Sequence, residues 1–318
     1  GTSRSIRSSP LLIPSGVPQG SVLGPVLFVL FTNDLPGYLE EFSKTIMYAD
    51  DTVLLLGNKH PELLEVSSYT ATNMAVQYCH SNNLVVNEAK TQQLVFGRGK
   101  NDFGPLPNID TVEEAKYLGI VMHNGMKWTP HVDNLCSKLS SGLYVVRRIK
   151  SISDVTVAIT AYYTLFEAHL RYGLTVWGKS SVANLQRPLT LQKKCIRILA
   201  DLQPRDNCRT SFVELSILTV VSFYILETVM YAHENGLTRG IDLHSYNTRR
   251  AADFTLPEHH SALFEEKPSY MGAKLFNSLP ADIKTEQNPK KMLKRWLLQH
   301  PFYSIDEFLN WRALNINQ

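Results

Sequence analysis

Cysteine is scarce and scattered. Its four copies, Cys79, Cys136, Cys195 and Cys208, form no Cys-x-x-Cys pair, so neither a disulfide framework nor a zinc knuckle is indicated, and a reducing intracellular compartment fits best. Long apolar runs are missing as well. The longest early one, Val22 to Phe31, is broken by Gly24 and Pro25 and is too short to cross a bilayer. The first ten residues are polar, carry Arg4 and Arg7 and lack the apolar centre of a secretory leader. No Gly-x-Ser-x-Gly elbow or Cys-Gly-Ser-Cys signature occurs, which removes the serine and cysteine hydrolases that use them. Neither an internal repeat of useful length nor a low-complexity tract is visible.

What remains is a chain of 318 residues, 44% hydrophobic and 19% charged, long enough for two domains with a sizeable core. Its net charge of +3 hides an asymmetry. Residues 1–120 hold 8 basic and 12 acidic side chains, residues 121–215 hold 13 and 6, and residues 216–318 hold 11 of each. An acidic part beside a basic part suits a protein that handles metal ions and a polyanion, although a solvated basic face would give the same count.

The stretch Tyr48-Ala49-Asp50-Asp51 gives the acidic part its chemistry. The apolar run Ile46, Met47, Tyr48 leads into the pair and Val53 to Leu56 follows it, which predicts a hairpin over about residues 44–56 with both carboxylates at its tip. Mg²⁺ takes hard oxygen ligands, commonly one or two carboxylates plus substrate phosphates. Acidic residues are also ordinary turn formers, so the pair alone decides nothing.

Upstream, Gly16-Val17-Pro18-Gln19-Gly20-Ser21-Val22-Leu23-Gly24-Pro25 leaves the backbone bare at three glycines, open to a ligand or another backbone. A buried helix is predicted after it from Leu27, Phe28, Leu30, Phe31 and Leu35, stopped by Asn33-Asp34 and Pro36-Gly37. Downstream, a helix is predicted over Pro61–His80, ended at Ser81-Asn82-Asn83. Strands are predicted at Leu84–Asn87 and Leu94–Gly97 around a turn carrying Lys90, and Tyr117–Val121 is predicted as a strand with Gly119 inside it.

From His131 the period changes. Val132, Leu135, Leu139, Leu143 and Val146 form one helix stripe, with Lys138, Arg147, Arg148 and Lys150 on other faces. Asp154 is placed to cap a second helix, with Ala158, Ala161, Leu165 and His169 on one apolar side, so His169 reads as a core histidine. A third helix, about Leu185–Leu202, carries Lys193, Lys194 and Arg197. The pair His259-His260 lies in a predicted loop with no third ligand nearby.

In order and spacing, Gly16–Pro25, Tyr48–Thr52, Asn87–Phe96 and Tyr117–Ile120 resemble the palm motifs B, C, D and E of reverse transcriptases of non-LTR (LINE-like) retrotransposons. Trp128, His131 and Lys138 resemble the start of the thumb in such enzymes. The segments Tyr270-x-Gly272 and Leu275–Pro280 resemble a C-terminal region of retrotransposon polymerases. The resemblance implies an α+β fold: the second half of a polymerase palm over residues 1–121, a basic helical thumb over 122–215, and a mostly helical region over 216–318. It implies RNA-directed DNA synthesis with two Mg²⁺ or Mn²⁺ ions, an RNA template, a DNA primer and deoxynucleoside triphosphates.

By the same resemblance Asp50 and Asp51 are the metal ligands, and Lys90 approaches the triphosphate. Pro18, Gln19, Gly20 and Tyr48 face the substrate. Tyr117, Leu118 and Gly119 grip the primer end, while Lys138, Arg147, Arg148, Lys193, Lys194 and Arg197 hold the duplex backbone. One departure counts against activity of the chain alone. Such enzymes carry another essential Asp on motif A, several tens of residues before motif B, and the fifteen residues before Gly16 contain no acid. The sequence therefore reads as a fragment of a longer enzyme. The alternative is a non-catalytic remnant that binds nucleic acid through its basic helices.

Overall fold

The structure is a computed structural model, described at residues 9, 16–18, 20–97, 99–235, 237–240, 252–286 and 288–311. The chain falls into two compact units, residues 1–117 and 118–318.

The first unit begins with α1 (Leu23–Phe31) and the short α2 (Leu35–Tyr38). Next come the antiparallel strands β1 (Lys44–Tyr48) and β2 (Asp51–Leu55), then α3 (Pro61–Ser81). Proline at the first position of α3 costs no hydrogen bond there, and Asn83, in the left-handed region at φ 54°, turns the chain after it. Leu35 and Leu39 from α2 and Tyr78 from α3 form a small core with Met47, Leu54 and Met74 packed against it. The Tyr78 hydroxyl donates to Asp34 Oδ1 at 2.5 Å, and burial first, then this bond, push its pKa up to about 12.

Three expectations fail over residues 22–123. The helix after the glycines starts at Leu23 and is not buried: Val26, Leu27, Val29, Leu30 and Phe31 are all exposed, and Gly24 is its buried residue. Residues 84–87 and 94–97 form no strand. Val85 is 96% exposed, so that β-branched run has extended spacing without a partner to pair with. Here the sheet consists of β3 (Gln92–Gln93) running parallel to β4 (Asp110–Thr111). Finally, the expected strand over Tyr117–Val121 is broken. Leu118 at φ 46° and Gly119 at φ 81° turn the chain between β5 (Glu114–Tyr117) and β6 (Ile120–His123).

In the second unit, β6 leads to α4 (Thr129–Ile152), whose predicted stripe Val132, Leu135, Leu139, Leu143 and Val146 is buried throughout. Asp154 caps α5 (Val155–Ala161), its carboxylate accepting from Val157 N at 3.0 Å. A π-helical turn over Tyr162–Glu167 then runs into α6 (Ala168–Arg171). The wider turn shifts the phase of the helix, so Phe166, Glu167 and Leu170 point inward while Leu165 and His169 are exposed. His169 is therefore not a core histidine.

The remaining elements are α7 (Leu174–Trp177), α8 (Val182–Leu199), α9 (Arg209–Glu214) and α10 (Val220–Glu234). After them come α11 (Ala262–Glu265), α12 (Pro268–Asn277), α13 (Ala281–Lys284), α14 (Pro289–Gln299) and α15 (Ile305–Leu309). Apolar on almost every side, α10 is the central helix, packing against α8, α12 and α14. Leu139, Leu189, Tyr224, Phe276, Leu297 and Phe308 belong to one continuous core, which takes residues from both 122–215 and 216–318.

At its centre lies a buried amide. Gln192 Nε2 donates to the Tyr162 hydroxyl and to Leu218 O, each at 2.9 Å, and its Oε1 accepts from Val220 N at 2.8 Å. Nearby, Thr219 caps α10 and its hydroxyl donates to Phe302 O at 2.7 Å. No helix among the described residues is long and apolar enough to cross a membrane.

Candidate active site

The carboxylate pair stands where the apolar runs put it. Tyr48 pairs with Asp51 across the hairpin, leaving Ala49 and Asp50 as a two-residue turn. Such a turn needs a positive φ at its first position, and Ala49 supplies it at 54°. A non-glycine residue there costs about 1–2 kcal/mol, which the rest of the hairpin must offset.

Alternation along the strands sorts their side chains into two sets. Met47 and Leu54 face the small core, whereas Ile46, Tyr48, Asp51 and Leu55 share the other face and are exposed. Asp50 is exposed at the tip. The pair is thus offered to solvent beside an uncovered apolar surface.

Around the glycine-rich segment, Ser21 N donates to Pro18 O at 3.1 Å and Gly24 N to Ser21 Oγ at 3.0 Å, closing a turn into α1. Among the described residues nothing lies within 4 Å of where a side chain on Gly16 or Gly20 would begin, but Gly24 is buried and a Cβ there would stand 2.8 Å from Ser21 Oγ and 2.9 Å from Val17 Cγ2, so the expectation of a bare backbone fails at the third glycine. Gln19 lies outside the described residues. Lys90 ends a short 3₁₀ turn, Glu88–Lys90, and is exposed. No ion pair among the described residues joins it to Asp50 or Asp51. Tyr117 is half-buried and its hydroxyl has no partner among the described residues.

The basic residues divide into two sets. Lys138, Arg147 and Arg148 on α4 and Lys194 on α8 are exposed. Lys193 lies with its ammonium 3.6 Å from the centre of the Tyr303 ring, and burial lowers its pKa. Arg197 donates through Nε to Asp206 O at 2.8 Å. These last two tie α8 to the chain beyond it. Composition could not separate the two sets, because Tyr303 lies more than a hundred positions from Lys193 in sequence.

Two adjacent carboxylates match the oxygen preference of Mg²⁺ or Mn²⁺. Among the described residues, however, no group of three or more His, Cys, Asp or Glu side chains could hold a metal ion. Further ligands would have to be substrate phosphate, water or another acidic side chain.

Residues 4–122 match the model of the family described as reverse transcriptase (RNA-dependent DNA polymerase), and this span contains the carboxylate hairpin and the glycine turn before it. Similar proteins include RNA-directed DNA polymerases and a Pol polyprotein of transposable elements. The chain is 28% identical over 234 residues to a probable RNA-directed DNA polymerase from transposon BS of Drosophila melanogaster, covering 68% of this chain and 26% of that protein. It is 26% identical over 208 residues to the RNA-directed DNA polymerase from mobile element jockey of the same species, covering 60% and 22%. Against the retrovirus-related Pol polyprotein of the type-1 retrotransposable element R1 of Nasonia vitripennis it is 25% identical over 177 residues, covering 51% and 52%. The chain thus spans about a quarter of the length of the first two. No solved structure matches.

Proposed function

We propose that this chain supplies the carboxylate-bearing part of the catalytic centre of a non-LTR retrotransposon reverse transcriptase, and that the helices after it act as the thumb. The observation that carries this reading is the hairpin, which fixes Asp50 and Asp51 at an exposed tip while Met47 and Leu54 anchor it from behind. Asp50 is the direct metal ligand and Asp51 a weaker or outer one. When bound, two divalent ions would activate the primer 3′-hydroxyl and neutralise the leaving pyrophosphate.

The primer 3′-hydroxyl gives its proton to water, its oxygen bonds to the α-phosphorus of the incoming deoxynucleotide, and pyrophosphate leaves as the bond to the β-phosphate breaks. Lys90 neutralises the triphosphate or donates a proton to pyrophosphate. Pro18, Gln19 and Gly20 lie against the template and the nucleotide, with Tyr48 beside the carboxylates. Tyr117, Leu118 and Gly119 seat the primer end. The exposed Lys138, Arg147, Arg148 and Lys194 bind duplex phosphates without reading sequence.

Placed in a longer chain that adds an acidic strand before residue 16, the protein should extend a DNA primer on an RNA template with Mg²⁺, and Asp50→Ala should abolish extension. Full activity in Asp50→Ala would sink the assignment. A second reading, nucleic-acid binding without catalysis, is favoured by the lack of a three-ligand cluster among the described residues. It expects salt-sensitive binding to RNA–DNA hybrid by the chain as given and no extension. Extension by this chain alone removes it.

A further inference from the structure

Four consecutive residues after Tyr117 are held one by one from two other places in the second unit. The Leu118 carbonyl accepts from the Tyr172 hydroxyl at 2.5 Å. Gly119 lies flat against the same ring: a Cβ on it would stand 3.3 Å from Tyr172 Cε1, and its φ of 81° is one that side chains rarely adopt. Ile120 Cδ1 fills the space beside Gly173, 2.5 Å from where a Cβ there would be, and Gly173 is itself left-handed at φ 62°. The Val121 N–H donates to His131 Nδ1 at 3.3 Å.

The holders are themselves held. Trp177 Nε1 donates to Tyr172 O at 3.1 Å, and Trp177 is fully buried. His131 is buried with its ring centre 5.8 Å from that of Trp177 and 6.4 Å from that of Trp128. To accept from Val121 its Nδ1 must be unprotonated, and burial followed by the nearby Lys138 lowers its pKa accordingly. Gly119 remains exposed on its outer side.

We propose that Tyr172 and His131 are positioning residues that lock the Leu118-Gly119 turn in place, so that discrimination of the primer 3′ end depends on them. This rests on the reverse transcriptase reading for what the turn seats. The clasp itself does not. A displacement of about 1 Å at a positioning element is enough to cost large factors in a reaction.

The test uses the full chain and two RNA–DNA hybrids of equal length, one blunt and one with a recessed DNA 3′ end, titrated by fluorescence anisotropy at fixed salt. Hydrogen–deuterium exchange of residues 118–123 is followed in the free protein. Wild type should favour the recessed end. Tyr172→Phe, which removes one hydroxyl, should lose that preference by about fivefold, keep blunt-hybrid affinity within about twofold, and exchange faster at 118–123. His131→Asn, whose side-chain oxygen can replace Nδ1 as acceptor, should keep the preference that His131→Leu loses.

Unchanged exchange in Tyr172→Phe overturns the clasp. Faster exchange with the end preference intact, or a parallel loss for both hybrids, overturns the positioning role. A wild-type chain that binds hybrid without end preference overturns the primer-seating assignment of the turn, and this proposal with it, while leaving the exchange result to stand as a finding about the fold.

Discussion

Replacing Glu167 by Gln should make this protein's stability less dependent on pH. Glu167 lies in the π-helical turn with its side chain 10% exposed, and its Oε2 is buried without a hydrogen-bond partner. The nearest cation, Arg171, is 3.9 Å away and is shared with Glu227 at 2.5 Å. Burial therefore dominates. Arg171 and then Lys294 pull the pKa back, but it still rises from 4.5 to about 7. The folded state favours the protonated acid, so this stabilisation is complete below the unfolded pKa and is lost as pH rises through about 7. A shift of this size corresponds to roughly 3 kcal/mol, of which about 2 kcal/mol should disappear between about pH 5 and 8. Urea denaturation of wild type and Glu167→Gln across that range isolates the group, since other titrations cancel in the difference. The stability of the variant relative to wild type should grow by about 2 kcal/mol between about pH 5 and 8 and level off above that. A difference that stays flat, or that favours wild type as pH rises, would refute the reasoning.

Gln192→Leu should strand the Val220 N–H, the Leu218 carbonyl and the Tyr162 hydroxyl in the core, costing about 2–4 kcal/mol in the urea midpoint with the slope unchanged. Asp154→Ala removes the cap of α5 and should cost about 1 kcal/mol in the same measurement. Arg148→Ala should leave that midpoint alone and reduce the slope of log affinity for hybrid against log salt by about 0.9, one phosphate contact. Lys193→Met should do the reverse, because its ammonium is spent on the Tyr303 ring.

The sequence made helices legible where burial follows a fixed local period. The α4 stripe is buried at all five expected positions and Asp154 caps α5, because both depend on residues within one or two turns. The carboxylate hairpin was legible for a similar reason: two apolar runs separated by two residues have few other ways to pair. Period alone could not show the π turn, so the same reasoning placed His169 in the core and left Glu167 unnoticed. Nor could it supply partners. Leu84–Asn87 has the composition of a strand, but a strand forms only where another backbone is available to pair with it. Tyr172 gave no signal either, since its role depends on a carbonyl 54 residues away.

The two units differ in how their apolar surface is used. Among the described residues, the buried hydrophobic side chains before residue 118 are Leu35, Leu39, Ala71 and Tyr78; the rest belong to the second unit. Meanwhile Val26, Leu27, Leu30 and Phe31 of α1, and Ile46, Tyr48 and Leu55 of the hairpin, remain exposed. At about 25 cal/mol per Å² of apolar surface, covering such side chains is worth several kcal/mol, so these faces favour contact with further polypeptide or substrate. Asp51 lies on the same exposed strand face as Ile46, Tyr48 and Leu55. A further chain segment laid there would bury Ile46 and Leu55.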